Sequence, residues 1–225
     1  MNTSNSRCNS SLGKKYVMAI TGLALFGFVI GHMVGNLQIF LGKEVLNAYG
    51  AFLKSKPLLL WGARLGLLAT VSFHVWAAIR LTQENRAARP VRYAVTKPIG
   101  ASYASRTMLM SGLIVASFIV YHLLHFTMGG LDPELLTFLD EAGRHDVYRM
   151  VVVGFSTLRV SIFYLVGMAL LCMHLSHGVS ALFQSLGLKT GVFGGWIDGF
   201  AKISAIVIFA GNCSIPMAVM CGFLK

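Results

Sequence analysis

Charged side chains are scarce in this sequence. Only 12% of its 225 residues are Asp, Glu, Lys or Arg, and 56% are hydrophobic. Ordinary soluble domains carry about 25% charged residues, so this composition excludes a typical soluble protein. It is typical of an integral membrane protein in which one helical bundle accounts for nearly the whole chain.

Two common redox motifs are missing. The 4 cysteines form neither C-x-x-C nor C-x-x-C-H, so nothing supports a ferredoxin-type iron–sulfur cluster or a covalently attached c-type haem.

A separate basic surface is missing as well, because the basic residues that give the net charge of +11 border apolar segments. This distribution argues against nucleic-acid binding.

Apolar segments dominate the chain. A bilayer core of about 30 Å needs about 20 apolar residues per helical span, and five segments meet this requirement. We therefore predict an all-α integral membrane protein, with a polar tail over residues 1–15 and a five-helix transmembrane domain over residues 16–225. The predicted spans are Tyr16–Leu41, Leu58–Leu81, Thr107–Met128, Arg159–Phe183 and Phe200–Leu224.

The charges predict the orientation of these spans. With five spans, the N-terminal tail and two of the loops share one face, which holds eleven bases and two acids. The other face holds eight bases and six acids. The positive-inside rule places the basic face and the N-terminus in the cytoplasm. We expect the basic face to bind a cytoplasmic partner or anionic lipid.

Six of the seven histidines lie inside the predicted spans, where ionisable side chains are costly and usually functional. His32, His74, His122 and His174 lie 15 or 16 residues into the first four spans. At 1.5 Å per residue this is roughly 24 Å, close to the far end of each helix. Because the helices alternate in direction, the depths predict two levels about 15 to 20 Å apart, with His32 near His122 and His74 near His174.

Two facing imidazole pairs fit bis-histidine ligation of two b-type haems. The spans contain no Asp or Glu at these depths, which removes ligands expected at a zinc or non-haem iron site. A structural histidine that hydrogen-bonds across helices is the alternative for any single position. That alternative stays strong for His125 and His177, three residues beyond His122 and His174, which we interpret as propionate, water or quinone contacts.

Glycines accompany the histidines at four-residue spacing. Gly27, Gly31 and Gly35 surround His32, and Gly62 and Gly66 precede His74. Small side chains at this spacing let a neighbouring helix or a flat porphyrin come close. Taken alone the spacing is a weak signal, and it gains weight beside an intramembrane histidine.

The histidine-bearing helices resemble those of a known family, the di-haem cytochrome b membrane anchor of bacterial succinate dehydrogenase and fumarate reductase in its single-subunit form. The resemblance covers residues 12–224. It implies that His32 and His122 bind the distal haem and that His74 and His174 bind the proximal haem. The segments that carry it are LGKKYVMAITGLALFGFVIGHMVGNLQIF, FHVWAAIRL, FIVYHLLHF and MHLSHGVSALFQ.

The resemblance also implies partners. Such an anchor binds a flavoprotein with covalent FAD and an iron–sulfur subunit on the cytoplasmic face of the bacterial inner membrane. Electrons pass between succinate or fumarate at the flavin and a membrane quinone, often menaquinone. The anchor itself has no dicarboxylate site, so no catalytic residue is assigned in this chain. Whether several such complexes associate is left open.

Polar residues at the two faces complete the expected site. On the cytoplasmic side the proximal haem propionates are expected to meet Lys14, Lys15, Tyr16 and Arg106. Near the outer face the quinone candidates are Asn36, Gln38, Lys43, Glu44 and Lys54. Some quinol-oxidising members use a glutamate two residues before the fourth haem histidine, where this chain has Cys172. This departure argues against the proton pathway that such members use.

Two other functions remain open at the level of sequence. A di-haem cytochrome b anchor of a formate dehydrogenase or a hydrogenase would contain the same haems and bind different soluble partners. A haem-free anchor or transporter would use the histidines for structure or for proton transfer.

Overall fold

The computed structural model describes residues 10–88 and 107–225, and within these ranges the secondary structure is helical apart from an isolated bridge between Leu139 and His145. Two short 3₁₀ helices cover Gln38–Leu41 and Pro133–Leu136. The α-helices are α1 (Ser11–Leu37), α2 (Lys43–Lys54), α3 (Pro57–Ala87), α4 (Met108–Phe126), α5 (Val147–Ser156), α6 (Leu158–Ser185) and α7 (Phe193–Met220).

Five of the described segments are long and apolar enough to cross a membrane. They are Ser11–Leu41, Pro57–Ala87, Met108–Phe126, Leu158–Ser185 and Phe193–Met220. Each overlaps one predicted span, so the prediction of an all-helical chain with five potential membrane spans is confirmed. The two short helices α2 and α5 were not predicted, and both lie in connections between spans.

The helix ends differ from the predicted ends for local reasons. α1 begins at Ser11 rather than Tyr16, because the Ser10 hydroxyl caps the helix and accepts a hydrogen bond from the Gly13 N–H at 3.0 Å. α7 ends at Met220 rather than Leu224, because Gly222 adopts a positive φ of 73°. The Phe223 N–H then bonds the Ala218 carbonyl, as in a Schellman motif.

α7 also begins earlier than predicted, at Phe193 instead of Phe200. Its first turns contain glycines and Asp198, which disfavour a helix. The side chain of Asp198 bonds the Ser180 hydroxyl of α6 and pairs with Lys189 at 2.7 Å. Tertiary contacts therefore hold this part of the helix against its own weak propensity.

The four helices that carry the intramembrane histidines form a ring. α1 packs against α3 and α6, and α4 packs against the same two helices, so the order around the ring is α1–α3–α4–α6. α1 and α4 therefore face each other across the ring, as do α3 and α6. α7 has no histidine and lies outside the ring, where it packs against α1 and α6.

Close contacts at glycines hold the bundle together. Met33 of α1 packs directly over Gly211 of α7, where an added Cβ would collide with the methionine sulfur. In the same way the Phe118 ring of α4 lies over Gly167 of α6. These contacts draw α1 and α4, which face each other, towards the α6–α7 pair.

Polar residues join α2 to α5 at the face opposite the N-terminus. Asn47 of α2 is 0% exposed; its amide donates to Asp146 at 3.0 Å and to Asp140 at 3.3 Å, and its carbonyl oxygen accepts the Tyr148 N–H. Two cations close the cluster by pairing Lys43 with Asp146 and Arg144 with Glu44 and Asp140. We call this cluster the α2–α5 clamp; it consists of Lys43, Glu44, Asn47, Asp140, Arg144 and Asp146.

The surroundings of the clamp keep its carboxylates ionised. Burial alone would raise the pKa of Asp146, but hydrogen bonds from the Arg149 N–H, Asn47 and Lys43 outweigh burial and hold the pKa below its usual value. Burial and the nearby Lys54 lower the pKa of His145, which is half-buried. The clamp is therefore an ionic and hydrogen-bonded contact at neutral pH.

We expect Asn47→Ala to destabilise the protein by about 2 kcal/mol, because the change leaves the buried Asp146 carboxylate and the Tyr148 N–H short of partners. The melting temperature in detergent, followed by circular dichroism, should fall by roughly 4 to 8 °C. Glu44→Gln is the matched control, since the Glu44 side chain is 78% exposed and its ion pair should matter little. Equal losses in the two variants would contradict a buried amide at the centre of the clamp.

Candidate functional site

The structure brings together His32 of α1 and His122 of α4, the pair that depth along the helices predicted. Their ring centroids are 5.8 Å apart across the helix ring, and their planes are inclined by 83°. His122 lies beside His32, whereas His125 packs on the ring of Phe126 at 4.1 Å. The choice of His122 over His125 as the partner of His32 agrees with this arrangement.

His74 of α3 and His174 of α6 lie at the other level of the ring. His74 Nδ1 is 3.0 Å from the Thr21 hydroxyl of α1, and His174 Nδ1 is 3.2 Å from the Ser111 hydroxyl of α4. Thr21 precedes His32 by eleven residues in the same helix, which separates the levels by about 16 Å. His174 is also within electrostatic range of His74.

Tyr164 of α6 links two histidines of α4. Its hydroxyl is 3.1 Å from His125 Nδ1 and 3.4 Å from His122 Nδ1. His125 is only 4% exposed, and its ring stays among aromatic side chains. This position makes His125 a neighbour of His122 through Tyr164, and its Nδ1 faces the tyrosine.

His32 has a different kind of partner. Its Nε2 is 3.0 Å from the Asn36 amide nitrogen one turn later, and its ring stacks on Phe28 with centroids 5.3 Å apart. The corresponding histidines of the other three helices, His74, His122 and His174, use Nδ1 in their side-chain hydrogen bonds. A metal at His32 Nε2 therefore requires the Asn36 side chain to rotate away.

The donor set fits an iron held between two imidazoles better than a compact metal site. In the described ranges no three His, Cys, Asp or Glu side chains converge to hold an ion. Two imidazoles that bind one metal at about 2.0 Å each have ring centroids roughly 6 Å apart, close to the separation of His32 and His122. For His74 and His174, Nδ1 is engaged and Nε2 makes no hydrogen bond in the described part of the chain.

Glycines contact the histidines at positions that the sequence did not single out. A Cβ added to Gly22 would lie 3.4 Å from His74 Cε1, and one added to Gly112 would lie 3.3 Å from His174 Cε1. The predicted ridge behaves differently, since a Cβ at Gly27 or Gly31 would meet no atom within 4 Å. Those glycines do not mediate helix contact, and their face is open to lipid or to a bound group.

A sequence signal for the missed residues exists. In α1, Thr21 and Gly22 precede His32 with nine residues between the glycine and the histidine. In α4, Ser111 and Gly112 precede His122 with the same interval. We call the two dipeptides the hydroxyl–glycine pairs. The shared interval relates each pair to the histidine in its own helix, although each pair contacts a histidine in a neighbouring helix.

The propionate contacts were predicted at the face that carries the N-terminus. Lys14 is 2% exposed, and its ammonium group lies 2.7 Å from Glu84 of α3. Lys15 and Tyr16 are exposed, and Arg106 lies outside the described residues. A propionate at this end of the bundle would share Lys14 with Glu84.

His177 was interpreted from the sequence as a propionate, water or quinone contact. It lies in α6 one turn beyond His174. It is half-buried and within electrostatic range of Lys189 and Asp198. Those two residues bond each other and the Ser180 hydroxyl. His177 therefore adjoins a polar cluster at the N-terminal face, which agrees with a contact role rather than with iron ligation.

A cavity of about 180 Å³ adjoins His32 at the opposite face. Its lining includes Asn36 and, from α2, Tyr49 and Leu53. Asn36 is the only one of the five predicted quinone residues among the residues that line this cavity. Two others, Lys43 and Glu44, pair with Asp146 and Arg144 in the α2–α5 clamp.

Two further residues of α2 are Lys54, which does not line the cavity, and Tyr49, which does. Burial and the positive charge of Arg64 lower the pKa of Lys54, at the C-terminal end of α2. Tyr49 was missed because a loop without predicted structure gave no indication of which side chains turn inward. The structure places the Tyr49 hydroxyl against α1, 3.1 Å from where a Cβ of Gly35 would lie.

Cross-linking tests the pairing of levels without any cofactor. In a chain whose native cysteines are replaced, His32→Cys with His122→Cys should form an internal cross-link with a flexible bifunctional maleimide, because the two rings are neighbours. His74→Cys with His122→Cys is the control and should react little, since about 16 Å of helix separates its two levels. Intact mass after the reaction reports the cross-link, and equal yields from both pairs would refute two levels.

Comparison of the chain with protein-family models, curated proteins and solved structures found no match.

Proposed function

We propose that this protein is a di-haem cytochrome b that anchors a respiratory oxidoreductase in the membrane and transfers electrons between an iron–sulfur partner and quinone. The observation that carries the proposal is the meeting of His32 and His122 at one level of the four-helix ring, with His74 and His174 held from neighbouring helices at the other. The four histidines come from four different helices and lie at two levels, and in the described residues no carboxylate joins them in a group that could hold an ion.

The chain would hold each haem through two imidazoles. His32 and His122 would bind one haem, and His74 and His174 would bind the other. Haem supplies one-electron redox chemistry when it is bound. The protein orients the imidazoles and supplies an apolar surrounding, to which Phe28 and Phe118 contribute by stacking on His32 and His122. Burial and hydrogen bonds of this kind tune a haem potential.

The distribution of charge supports an orientation of the chain in the membrane. The positive-inside rule assigns the basic N-terminal face to the cytoplasm, so the pair His74 and His174 lies nearer that side. A flavoprotein with FAD and an iron–sulfur subunit would dock there, and succinate or fumarate chemistry would remain in the flavoprotein. The resemblance of four segments to the anchor of bacterial succinate dehydrogenase and fumarate reductase favours this partner over those of a formate dehydrogenase or hydrogenase.

The cavity beside His32 is the proposed quinone site, with menaquinone the expected quinone. It lies at the face opposite the proposed docking surface, next to the histidine pair nearer that face. Asn36 and Tyr49 supply the polar groups for a quinone oxygen, and the remaining lining includes Leu46 and Leu53. A few polar groups in an apolar cleft are the usual composition of a site for a small apolar ligand.

A haem-free anchor or transporter remains the second candidate function. The hydrogen bonds between histidine rings and the hydroxyls of Thr21, Ser111 and Tyr164 are the contacts that a purely structural histidine would make. Haem content distinguishes the two candidates directly.

The wild-type chain should contain about two haems b, measured as the pyridine haemochrome and by a reduced-minus-oxidised spectrum. His32→Ala and His122→Ala should each remove one haem, and combining them should still leave the other. Combining His32→Ala with His74→Ala should remove both, because these residues serve different haems. His145→Ala is the control and should keep both haems, since His145 lies outside the potential spans. A wild-type chain without haem would favour the haem-free candidate.

Filling the cavity tests the quinone site. Leu53→Trp should slow the reduction of haem by a quinol at least about tenfold, because the larger ring occupies space in a cavity of about 180 Å³. Reduction by dithionite should stay complete. Leu41→Trp is the matched control, since Leu41 is 70% exposed and does not line the cavity. Unchanged quinol kinetics in Leu53→Trp would place the quinone elsewhere.

A further inference from the structure

The hydroxyl–glycine pairs make the same contact with two different histidines. Thr21 of α1 bonds His74 Nδ1 at 3.0 Å, and Ser111 of α4 bonds His174 Nδ1 at 3.2 Å. The glycine that follows each hydroxyl residue leaves space for the same edge of the ring, with its Nδ1 and Cε1 atoms. Each imidazole therefore lies with one edge against the backbone of a neighbouring helix.

The hydroxyl proton decides which way these hydrogen bonds run. A serine or threonine hydroxyl has one proton to donate and two lone pairs to accept with. Thr21 donates its proton to the Val17 carbonyl at 2.7 Å in its own helix, and Ser111 donates to the Met108 carbonyl at 3.1 Å. With its proton on a helix carbonyl, each hydroxyl offers the histidine an acceptor oxygen, and this arrangement calls for a proton on the Nδ1 atom of the ring.

A proton on Nδ1 leaves the lone pair of a neutral imidazole on Nε2. The Nε2 atoms of His74 and His174 are consequently ready to bind a metal ion, and they belong to helices that face each other across the ring. A bis-imidazole site requires this tautomer and a fixed orientation of each ring. Ligating histidines commonly gain both from a hydrogen bond at the second ring nitrogen.

The spacing between hydroxyl residue and histidine within α1 and α4 relates the contacts at His74 and His174 to the level of His32 and His122. Eleven residues are close to three turns of an α-helix, so Thr21 and His32 lie on the same face of α1. Ser111 and His122 are related in the same way in α4. One face of each helix, turned to the ring interior, therefore serves both levels. It carries a candidate haem ligand, His32 or His122, at one level. At the other level it carries a hydrogen-bond acceptor, Thr21 or Ser111.

We propose that Thr21 and Ser111 are positioning residues that hold His74 and His174 as Nδ1-protonated ligands of one haem. The identity of the ligand rests on the proposed function, whereas the tautomer and the orientation rest on the hydrogen bonds. An N–H that donates to a hydroxyl oxygen makes the imidazole a stronger electron donor through Nε2, which favours the oxidised haem. Loss of either hydroxyl should act on the haem of His74 and His174 alone.

The experiment is a redox titration of Thr21→Val and Ser111→Ala in the intact membrane protein. His74→Ala identifies the component of the titration that belongs to this haem. Each hydroxyl variant should raise the midpoint potential of that component and weaken haem retention at that site by about 10- to 100-fold, with the other component unchanged. Thr21→Ser and Ser111→Thr should restore the wild-type behaviour, because they keep the hydroxyl.

The matched controls are Thr82→Val and Ser117→Ala. Their hydroxyls donate to carbonyls of their own helices and contact no histidine in the described part of the chain. If Thr21→Val and Ser111→Ala match these controls while wild type binds two haems, the positioning role is wrong. If wild type binds no haem, the proposed function fails instead.

A second measurement covers variants that assemble poorly with haem. Nitrogen-15 NMR of labelled histidines in the haem-free chain reports the tautomer of each ring, and His74→Ala and His174→Ala assign the two signals. Both residues should be protonated at Nδ1 in wild type, and each should lose this preference when its own hydroxyl partner is removed. Protonation at Nε2 in the wild-type chain would overturn the proposal.

Discussion

An imidazole inside a bilayer needs partners for its ring nitrogens, because the hydrocarbon core offers no water and an unpaired polar group costs several kcal/mol. This requirement explains much of the helix ring. Thr21 and Ser111 engage one nitrogen of His74 and of His174, and Tyr164 engages one nitrogen of His122. Since these contacts use Nδ1, the requirement that stabilises the bundle leaves the Nε2 atoms of these rings without a side-chain hydrogen bond in the described residues.

The helix ring provides partners for imidazole nitrogens at two levels, because α1 and α4 each contribute residues to both levels. α1 and α4 face each other, and each carries a hydroxyl residue and, three turns later on the same face, a histidine. α7 stays outside the ring and contributes packing, as in the contact of Met33 with Gly211. The interior can therefore be polar at two separated points while the outer surface stays apolar.

The depth of each histidine along its helix could be predicted from the sequence. The rotation of each helix about its own axis could not. The two levels follow from a constant rise of 1.5 Å per residue, so His32 and His122 could be paired by counting. Which hydroxyl meets which ring depends on how each helix is turned, and only the repeated interval between hydroxyl and histidine hinted at Thr21 and Ser111. The α2–α5 clamp was missed for another reason: Asn47 and Asp146 are 99 residues apart, and their contact has no periodic signal.

The two levels differ in how firmly their histidines are held. At the level of His74 and His174, each ring has its own hydroxyl, and that hydroxyl is fixed to a helix carbonyl. At the other level, Tyr164 is shared between His122 and His125, and Asn36 occupies the nitrogen of His32 that a metal would need. A shared hydroxyl cannot donate its one proton to both rings, so the protonation of His122 depends on that of His125. The less constrained level is also the one beside the cavity.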